Sequence, residues 1–220
     1  MNLPLRGPQK NAVAGVRLVD TPDDLSVLNE RDCAAVIWRR RPLPEFQEWI
    51  DGLSPDMLPE IRTTLPVDRV FEAMGDVVSG CGMPDCRERD MFVGDVAALA
   101  ALFADITKSQ YLRVRLDPVT TNSCRKFHVD AMRARLICTY RGSGTQYGTA
   151  VNGSDPEHIA AVTTGSPMVM RGTLWPELPA SDLKHRSPPI EGTGETRLLL
   201  VIDPVSDLAE DPGYQMNTRH

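Results

Sequence analysis

Three side chains in the second half of the chain, those of His128, Asp130 and His185, are candidates for binding one transition-metal ion. His128 and Asp130 stand two residues apart in the extended segment 126–140, which is rich in residues that favour strands. Side chains at positions i and i+2 point to the same face of a strand, so both can reach one ion. His185 follows 57 residues after His128. The alternative to a metal-binding role is that His128 is an ordinary surface or core histidine beside a carboxylate.

A fourth residue, Arg197, would complete a site of this kind. It begins the last apolar run, 197–202, directly after a Gly-rich turn at 191–195. Two imidazoles and one carboxylate on one face of an ion leave three coordination positions open, as in non-haem Fe(II) oxygenases. An arginine deeper in a barrel can bind a carboxylate through two parallel hydrogen bonds, a geometry that lysine does not match.

The order His-x-Asp, His and Arg resembles the Fe(II)/2-oxoglutarate-dependent dioxygenase superfamily. The resemblance covers roughly residues 111–203. More closely, CRKFHVD (124–130), RLICTYRGSGT (135–145) and HRSPPIEGTGETRLLLVID (185–203) resemble a bacterial family known as domain of unknown function 1826. The superfamily resemblance implies a double-stranded β-helix and oxygenase activity, in which iron activates dioxygen, decarboxylates 2-oxoglutarate and oxidises a further substrate.

The resemblance also assigns roles to single residues. It implies that His128, Asp130 and His185 bind the catalytic Fe(II) and that Arg197 anchors 2-oxoglutarate. Many members carry a hydroxyl residue two positions after this arginine, whereas this chain has Leu199 there. Tyr140 can supply a hydroxyl to the cosubstrate from the barrel wall; a core tyrosine is the alternative.

Two other functions fit the same residues. The ligands suit Zn(II) as well as Fe(II), which allows a zinc-binding protein of this fold linked to metal homeostasis. Cys124 would share the face of His128 on a regular strand, and Cys81 and Cys86 have a four-residue gap at the loose end of structural zinc spacing. The third possibility is a non-catalytic binding module in which the metal is structural.

Four arginines flank the proposed ligands: Arg125, Arg133, Arg135 and Arg186. Those that face inward would favour an anionic substrate, whereas those on a solvated face would have no such role. The Gly-rich segment 141–145 lacks the pattern of a phosphate-binding loop, and we interpret it as a turn near the mouth of the pocket.

The periodicity of apolar residues changes near residue 110. We predict an α+β protein with a flexible tail at 1–15, a mainly helical part at 16–110 packed on the barrel, a double-stranded β-helix of the jelly-roll or cupin-like type at 111–205 and a C-terminal tail at 206–220. Apolar stripes predict helices at 44–53, 67–78 and 91–106, and a short strand at 34–38. Strands are predicted at 111–116, where Asp117-Pro118 should end the first, and at 168–170 and 197–202. The segment 126–140 is predicted to be extended, as one strand or as two with a bend near Ala131.

Composition narrows the setting in which the protein works. The chain has 220 residues and a net charge of −6, so it has no general attraction to nucleic acid or anionic lipid. It contains no apolar run long enough to span a membrane and no secretory signal pattern. Five cysteines do not form an even disulfide framework. We expect a cytoplasmic protein with a small-molecule or protein substrate; the sequence does not set its oligomeric state.

Overall fold

Helices alternate with strands in the first half of the chain, and strands dominate the second half. The structure, a computed structural model, describes residues 13–122, 124–150, 154–176, 182–206 and 208. The first half forms β1 (Val16–Val19), β2 (Ala35–Trp38), α1 (Pro44–Gly52), β3 (Ile61–Pro66), α2 (Val70–Gly80) and α3 (Arg87–Thr107). The second half forms β4 (Tyr111–Val119), β5 (Ala134–Arg141), β6 (Gln146–Thr149), β7 (Ala160–Ala161), β8 (Pro167–Arg171), β9 (Leu183–Arg186) and β10 (Arg197–Val205). Short 3₁₀ helices cover Asp23–Asn29, Pro55–Met57 and Val67–Arg69.

The strands form two sheets. The large sheet has seven strands in the order β1-β2-β8-β5-β10-β4-β3, and the small sheet has three in the order β7-β6-β9. His128 adds a further position to the small sheet, because it pairs with His185 on the open side of β9. From β4 onward the chain passes repeatedly between the two sheets. This alternation of antiparallel strands is a double-stranded β-helix.

The last strand shows why its sequence is apolar at nearly every position. Leu198, Leu200 and Ile202 pack in the core between the large sheet and the helices. Leu199 and Val201 pack in the second core, between the two sheets. A strand covered on both faces reads as a continuous apolar run, as 197–202 does. Odd-numbered residues of β10, and of β5 up to Thr139, therefore point into the barrel, and the even-numbered residues point towards the helices. A register shift then places Arg141 opposite Leu198, on the helix side.

The N-terminal half is both a cover and a part of the large sheet. Helices α1, α2 and α3 lie at the predicted helical stretches, and their buried residues join the core that covers the outer face of the sheet. Strands β1 and β2 extend the sheet beyond β8, and β3 extends it beyond β4. The predicted layer thus includes three strands besides its helices. The outer parts of the predicted tails, 1–12 and 209–220, lie outside the described residues.

Three details of the sequence prediction are wrong. The extended stretch predicted at 126–140 becomes a strand only from Ala134, and before it His128 forms an isolated bridge. Strand β4 does not end at Asp117-Pro118 but continues to Val119, paired with β10. Pairing with β3 ends at Leu116, and proline is tolerated where a strand has a neighbour on one side only. The apolar stripe that predicts a helix at 67–78 includes Phe71, which we expected to be buried but which is 60% exposed. The helix packs instead through residues at i, i+4 and i+8: Val70, Met74 and Val78.

None of the helices in the described part of the chain is both long and apolar enough to cross a bilayer.

Gly172 holds the segment that follows Asp130 against the end of β8. The backbone N–H groups of Gly172, Thr173 and Leu174 donate to the carbonyl oxygens of Arg133, Asp130 and Met132 at 2.9–3.0 Å. A Cβ atom at Gly172 would overlap the carbonyl oxygen of Met132 and lie 2.7 Å from that of Asp130. The close approach of the two backbones therefore requires glycine at this position.

Gly172→Ala should lower the free energy of unfolding by about 1–3 kcal/mol, because the added methyl group forces the two backbones apart. Gly94→Ala is the matched control: nothing lies within 4 Å of its added Cβ, and Gly94 is inside α3. There alanine should raise stability by about 0.5–1 kcal/mol. Denaturant unfolding measures both changes. A Gly172→Ala variant as stable as the parent protein would show that this contact is not tight.

Candidate metal centre

His128 and His185 face each other across an antiparallel backbone pair. The N–H of His128 donates to the carbonyl of His185 at 3.1 Å, and the N–H of His185 donates back at 3.0 Å. Directly opposed residues place their side chains on the same face of a sheet, and the two imidazole centroids are 4.5 Å apart. Asp130 joins them from two positions further along the chain. The structure thus brings together the three residues that the sequence predicted as ligands.

The ligand atoms have the spacing that one metal ion requires. His128 Nε2 lies 3.5 Å from Asp130 Oδ1, and His185 Nε2 lies 3.3 Å from Asp130 Oδ2. Ligand atoms from all three residues lie within 4.8 Å of one another, and among the described residues they form the one group of three or more such side chains. Two ligand atoms that each lie about 2.1 Å from the same ion are about 3.0–3.4 Å apart when they occupy adjacent positions in octahedral or tetrahedral geometry.

The ring of His128 is oriented by the backbone. Its Nδ1 lies 2.9 Å from the carbonyl oxygen of Lys126. A carbonyl accepts hydrogen bonds, so this contact favours the tautomer in which Nδ1 carries the proton and Nε2 presents its lone pair to the site. His185 is 6% exposed and Asp130 is 8% exposed, so solvent reaches the group mainly past His128.

Asp130 carries the negative charge of the group. Burial alone would raise its pKa, but the adjacent imidazoles of His128 and His185 and the charge of Arg135 hold the pKa well below the ordinary value. The adjacent carboxylate of Asp130 in turn raises the pKa of His128. A cation entering the site therefore competes with a proton on His128 while the carboxylate is already ionised, and metal affinity should weaken as the pH falls.

Arg135 lies inside the barrel next to Asp130. Its Nη1 donates to Asp130 Oδ1 at 2.8 Å, and its Nε and Nη2 donate to the two carboxylate oxygens of Asp203 at 2.7 and 2.8 Å. Of the four flanking arginines named from the sequence, this one faces inward, and protein carboxylates already bind it. Sequence reasoning missed Asp203. It could have been found from the alternation of side chains along the last strand, which places residue 203 on the same face as residue 197.

The other flanking arginines are engaged elsewhere or exposed. Arg133 donates to the carbonyl of Thr107 at 2.9 Å and lies over the ring of Trp175. Arg186 lies over the ring of Phe127, and Arg125 is exposed. These contacts do not direct the three guanidinium groups at the proposed ligands.

Arg197 is fully buried in the barrel, with 0% of its surface exposed. Its Nε donates to the carbonyl of Ser143 at 2.6 Å and its Nη2 donates to Thr139 Oγ1 at 3.2 Å. Its Nη1 is buried without a hydrogen-bond partner, and no ion pair to Arg197 occurs among the described residues. Burial lowers its pKa to about 10, an effect that Glu195 partly offsets. The Nη1 group of Arg197 therefore remains a buried donor without a partner.

A hydroxyl group accompanies Arg197 despite the leucine two positions later. Leu199 pairs across the sheet with Thr139, and Thr139 Oγ1 is the group that accepts from Arg197. The hydroxyl therefore comes from the neighbouring strand β5. Sequence reasoning could not find it, because the register between β5 and β10 contains a bulge between Leu198 and Leu199.

Tyr140 is not brought to this group. It occupies an even position on β5, so its side chain points towards the helices. Its hydroxyl donates to Asp95 Oδ2 at 2.6 Å, and its ring packs edge-on against Phe92. Asp95 also binds Arg40. Tyr140 is thus a core tyrosine satisfied from α3.

The cysteines do not enlarge the candidate metal centre. Cys81 donates its thiol to the carbonyl of Met57 at 3.2 Å, and neither Cys81 nor Cys86 belongs to a metal-ligand group of the described residues. Cys124 is exposed, and its carbonyl accepts from the N–H of Ser187. The Gly-rich segment 141–145 is the turn between β5 and β6, and Ser143 in it contacts Arg197.

The chain is similar to several solved structures. Dioxygenase for auxin oxidation 1 from Arabidopsis thaliana, in its 2-oxoglutarate complex, superposes with a TM-score of 0.52 at 11% identity, covering 89% of this chain and 94% of that one. The dioxygenase for auxin oxidation of rice gives a TM-score of 0.46 at 12% identity, covering 87% and 83% of the two chains. A 2OG-Fe(II) oxygenase family oxidoreductase from Burkholderia pseudomallei gives 0.41 at 13% identity, covering 87% and 95%. At 11% identity, the similarity to the Arabidopsis thaliana protein shows a shared fold and nothing more.

The sequence itself matches a protein family. No curated protein matches the chain. The sequence profile described as "Protein of unknown function (DUF1826)" matches residues 19–203, which include all four residues of the predicted site and most of the chain. The chain belongs to this family.

Proposed function

We propose that this protein is an Fe(II)- and 2-oxoglutarate-dependent oxygenase. The observation that carries the proposal is the convergence of two imidazoles and one carboxylate, from His128, Asp130 and His185, at one end of a double-stranded β-helix. The likeness in fold to a dioxygenase solved with 2-oxoglutarate adds support at the level of architecture.

The three side chains fit a divalent metal. Asp130 Oδ2 is buried and has no hydrogen-bond partner, so it is available as a ligand that keeps its negative charge. His185 presents Nε2 to this oxygen at 3.3 Å, and His128 presents Nε2 to the other carboxylate oxygen, Oδ1, at 3.5 Å. A site with two neutral imidazoles and one carboxylate reduces the charge of Fe(II) by one unit and leaves three coordination positions open.

Arg197 fits a dicarboxylate cosubstrate. Its free Nη1 and the hydroxyl of Thr139 together offer donors to a carboxylate inside the barrel. The gain is large in this position, because a bound anion would neutralise a guanidinium that is otherwise buried without a counter-charge. The other end of 2-oxoglutarate would then reach the open positions at the metal.

The residues of the chain therefore have separate tasks. His128, Asp130 and His185 would hold the ion, and Arg197 and Thr139 would bind and orient the cosubstrate. Apolar side chains of the inner core, among them Ile137 and Val201, would exclude water between the two ends. Bound iron would supply the coupling of 2-oxoglutarate decarboxylation, with dioxygen as oxidant, to insertion of one oxygen atom into a substrate C–H bond, leaving succinate and carbon dioxide.

Anaerobic addition of Fe(II) and 2-oxoglutarate should produce a weak visible charge-transfer band, because the keto acid chelates the metal. His185→Ala should abolish the band by removing a ligand. Gly94→Ala, remote from the site in α3, should leave it unchanged. Admission of oxygen to the parent protein should release succinate even without an added substrate.

Tight zinc binding with no band from Fe(II) and 2-oxoglutarate would contradict the oxygenase proposal. That outcome would favour a zinc protein of the same fold. Metal binding with no effect of 2-oxoglutarate at all would favour a non-catalytic module.

Arg197→Lys should weaken 2-oxoglutarate binding by about tenfold or more, since a lysine ammonium keeps the charge but cannot contact Ser143 and Thr139 while also presenting a donor at the position of Nη1. Arg141→Lys is the matched control. Arg141 is the last residue of β5, before the turn that contacts Arg197, and it donates to the carbonyl of Leu53. Calorimetric titration of the Co(II)-loaded proteins measures both. Unchanged affinity in Arg197→Lys would remove Arg197 from the cosubstrate site.

A further inference from the structure

We propose that Arg135 is a positioning residue that holds Asp130 as a ligand through one oxygen, Oδ2, and keeps Oδ1 away from the metal. The inference rests on the proposed metal site and concerns how that site keeps its open positions. It does not depend on which substrate is oxidised.

The two oxygens of Asp130 have different surroundings. Oδ1 lies 3.5 Å from His128 Nε2 and accepts from Arg135 Nη1 at 2.8 Å, the length of a strong charge-assisted hydrogen bond. Oδ2 lies 3.3 Å from His185 Nε2 and is buried with no hydrogen-bond partner. A metal placed between the two imidazoles would therefore meet one oxygen that is free and one that a guanidinium already occupies.

Arg135 is itself held in place. Asp203 binds its Nε and Nη2 with both carboxylate oxygens, at 2.7 and 2.8 Å. The planar guanidinium thus spans two carboxylates with three N–H groups, and rotation away from Asp130 would break the pair with Asp203. A lysine ammonium has a single nitrogen and cannot maintain this three-point contact.

The charges of this arrangement largely cancel at the metal. Arg135 contributes one positive charge and Asp203 one negative charge, so the pair adds little net repulsion to an incoming cation. Its main effect on the metal is therefore geometric. Second-sphere partners of ligands commonly change metal affinity by about 10–100-fold when they are removed.

One-oxygen binding matters for the number of open positions. Two imidazoles and one carboxylate oxygen leave three positions of an octahedron, enough for a chelating keto acid and dioxygen. If Asp130 bound through both oxygens, two positions would remain, and the keto acid would fill them. Arg135 thus preserves the position at which dioxygen would bind.

The test compares Arg135→Lys with Arg133→Lys in anaerobic Co(II) titrations. Arg133 is two residues away and contacts Thr107 and Trp175 rather than a carboxylate. We expect the Co(II) dissociation constant to rise by about 10–100-fold in Arg135→Lys and to change less than about twofold in Arg133→Lys. Denaturant unfolding of the metal-free proteins separates this effect from a loss of folded protein.

The coordination mode has its own readout. The two carboxylate stretching bands lie further apart for binding through one oxygen than for binding through both. Infrared difference spectra with and without Co(II) should show the wide separation in the parent protein and a narrower one in Arg135→Lys. Where Arg135→Lys folds poorly because Asp203 loses its partner, the double variant Arg135→Gln/Asp203→Asn removes both charges and should show the same narrowing.

Equal Co(II) affinity and equal band separation in the parent protein and in a folded Arg135 variant would overturn the inference while leaving the metal site intact. Failure of the parent protein to bind Co(II) would instead reject the proposed function and this inference with it. The two failures are therefore distinguishable in one titration series.

Discussion

The candidate site depends on one antiparallel backbone pair, between His128 and His185. Two hydrogen bonds, of 3.1 and 3.0 Å, align a segment that is otherwise outside regular strands with the edge of the small sheet. The pairing puts both imidazoles on one face, and the two-residue period then adds Asp130. The close backbone contact at Gly172 fixes the segment that begins at Asp130 against the end of β8.

The inner face of the large sheet carries charges that an apolar core would normally exclude. Arg135 is balanced by two carboxylates, Asp130 and Asp203, whereas no counter-charge from the described residues pairs with Arg197. On the outer face the partly buried Arg40 is paired with Asp95. Arg171 is buried without an ion pair among the described residues, but the backbone carbonyls of Leu28 and Glu30 accept from it. Arg197 differs from both because its Nη1 is buried without a hydrogen-bond partner, and this difference supports the proposal that it binds an anion.

Much of this arrangement could be predicted from local sequence patterns. Helical stripes located α1, α2 and α3, and the i, i+2 spacing of His128 and Asp130 placed their side chains on one face. Contacts between distant strands could not be predicted, because they depend on register. Tyr140 lies at an even position of β5, so its side chain points towards the helices, and the register of β5 with β10 places Thr139 opposite Leu199, within reach of Arg197. Both follow from pairings that a single sequence does not encode locally.

The central claim is that His128, Asp130 and His185 bind one ion. Crystals loaded anaerobically with Fe(II) and measured at the iron absorption edge test it directly. The account predicts one anomalous peak about 2.0–2.2 Å from Nε2 of both histidines and from Oδ2 of the aspartate. Absence of a peak between these atoms in iron-loaded crystals, or a peak at Cys81 and Cys86 instead, would contradict it.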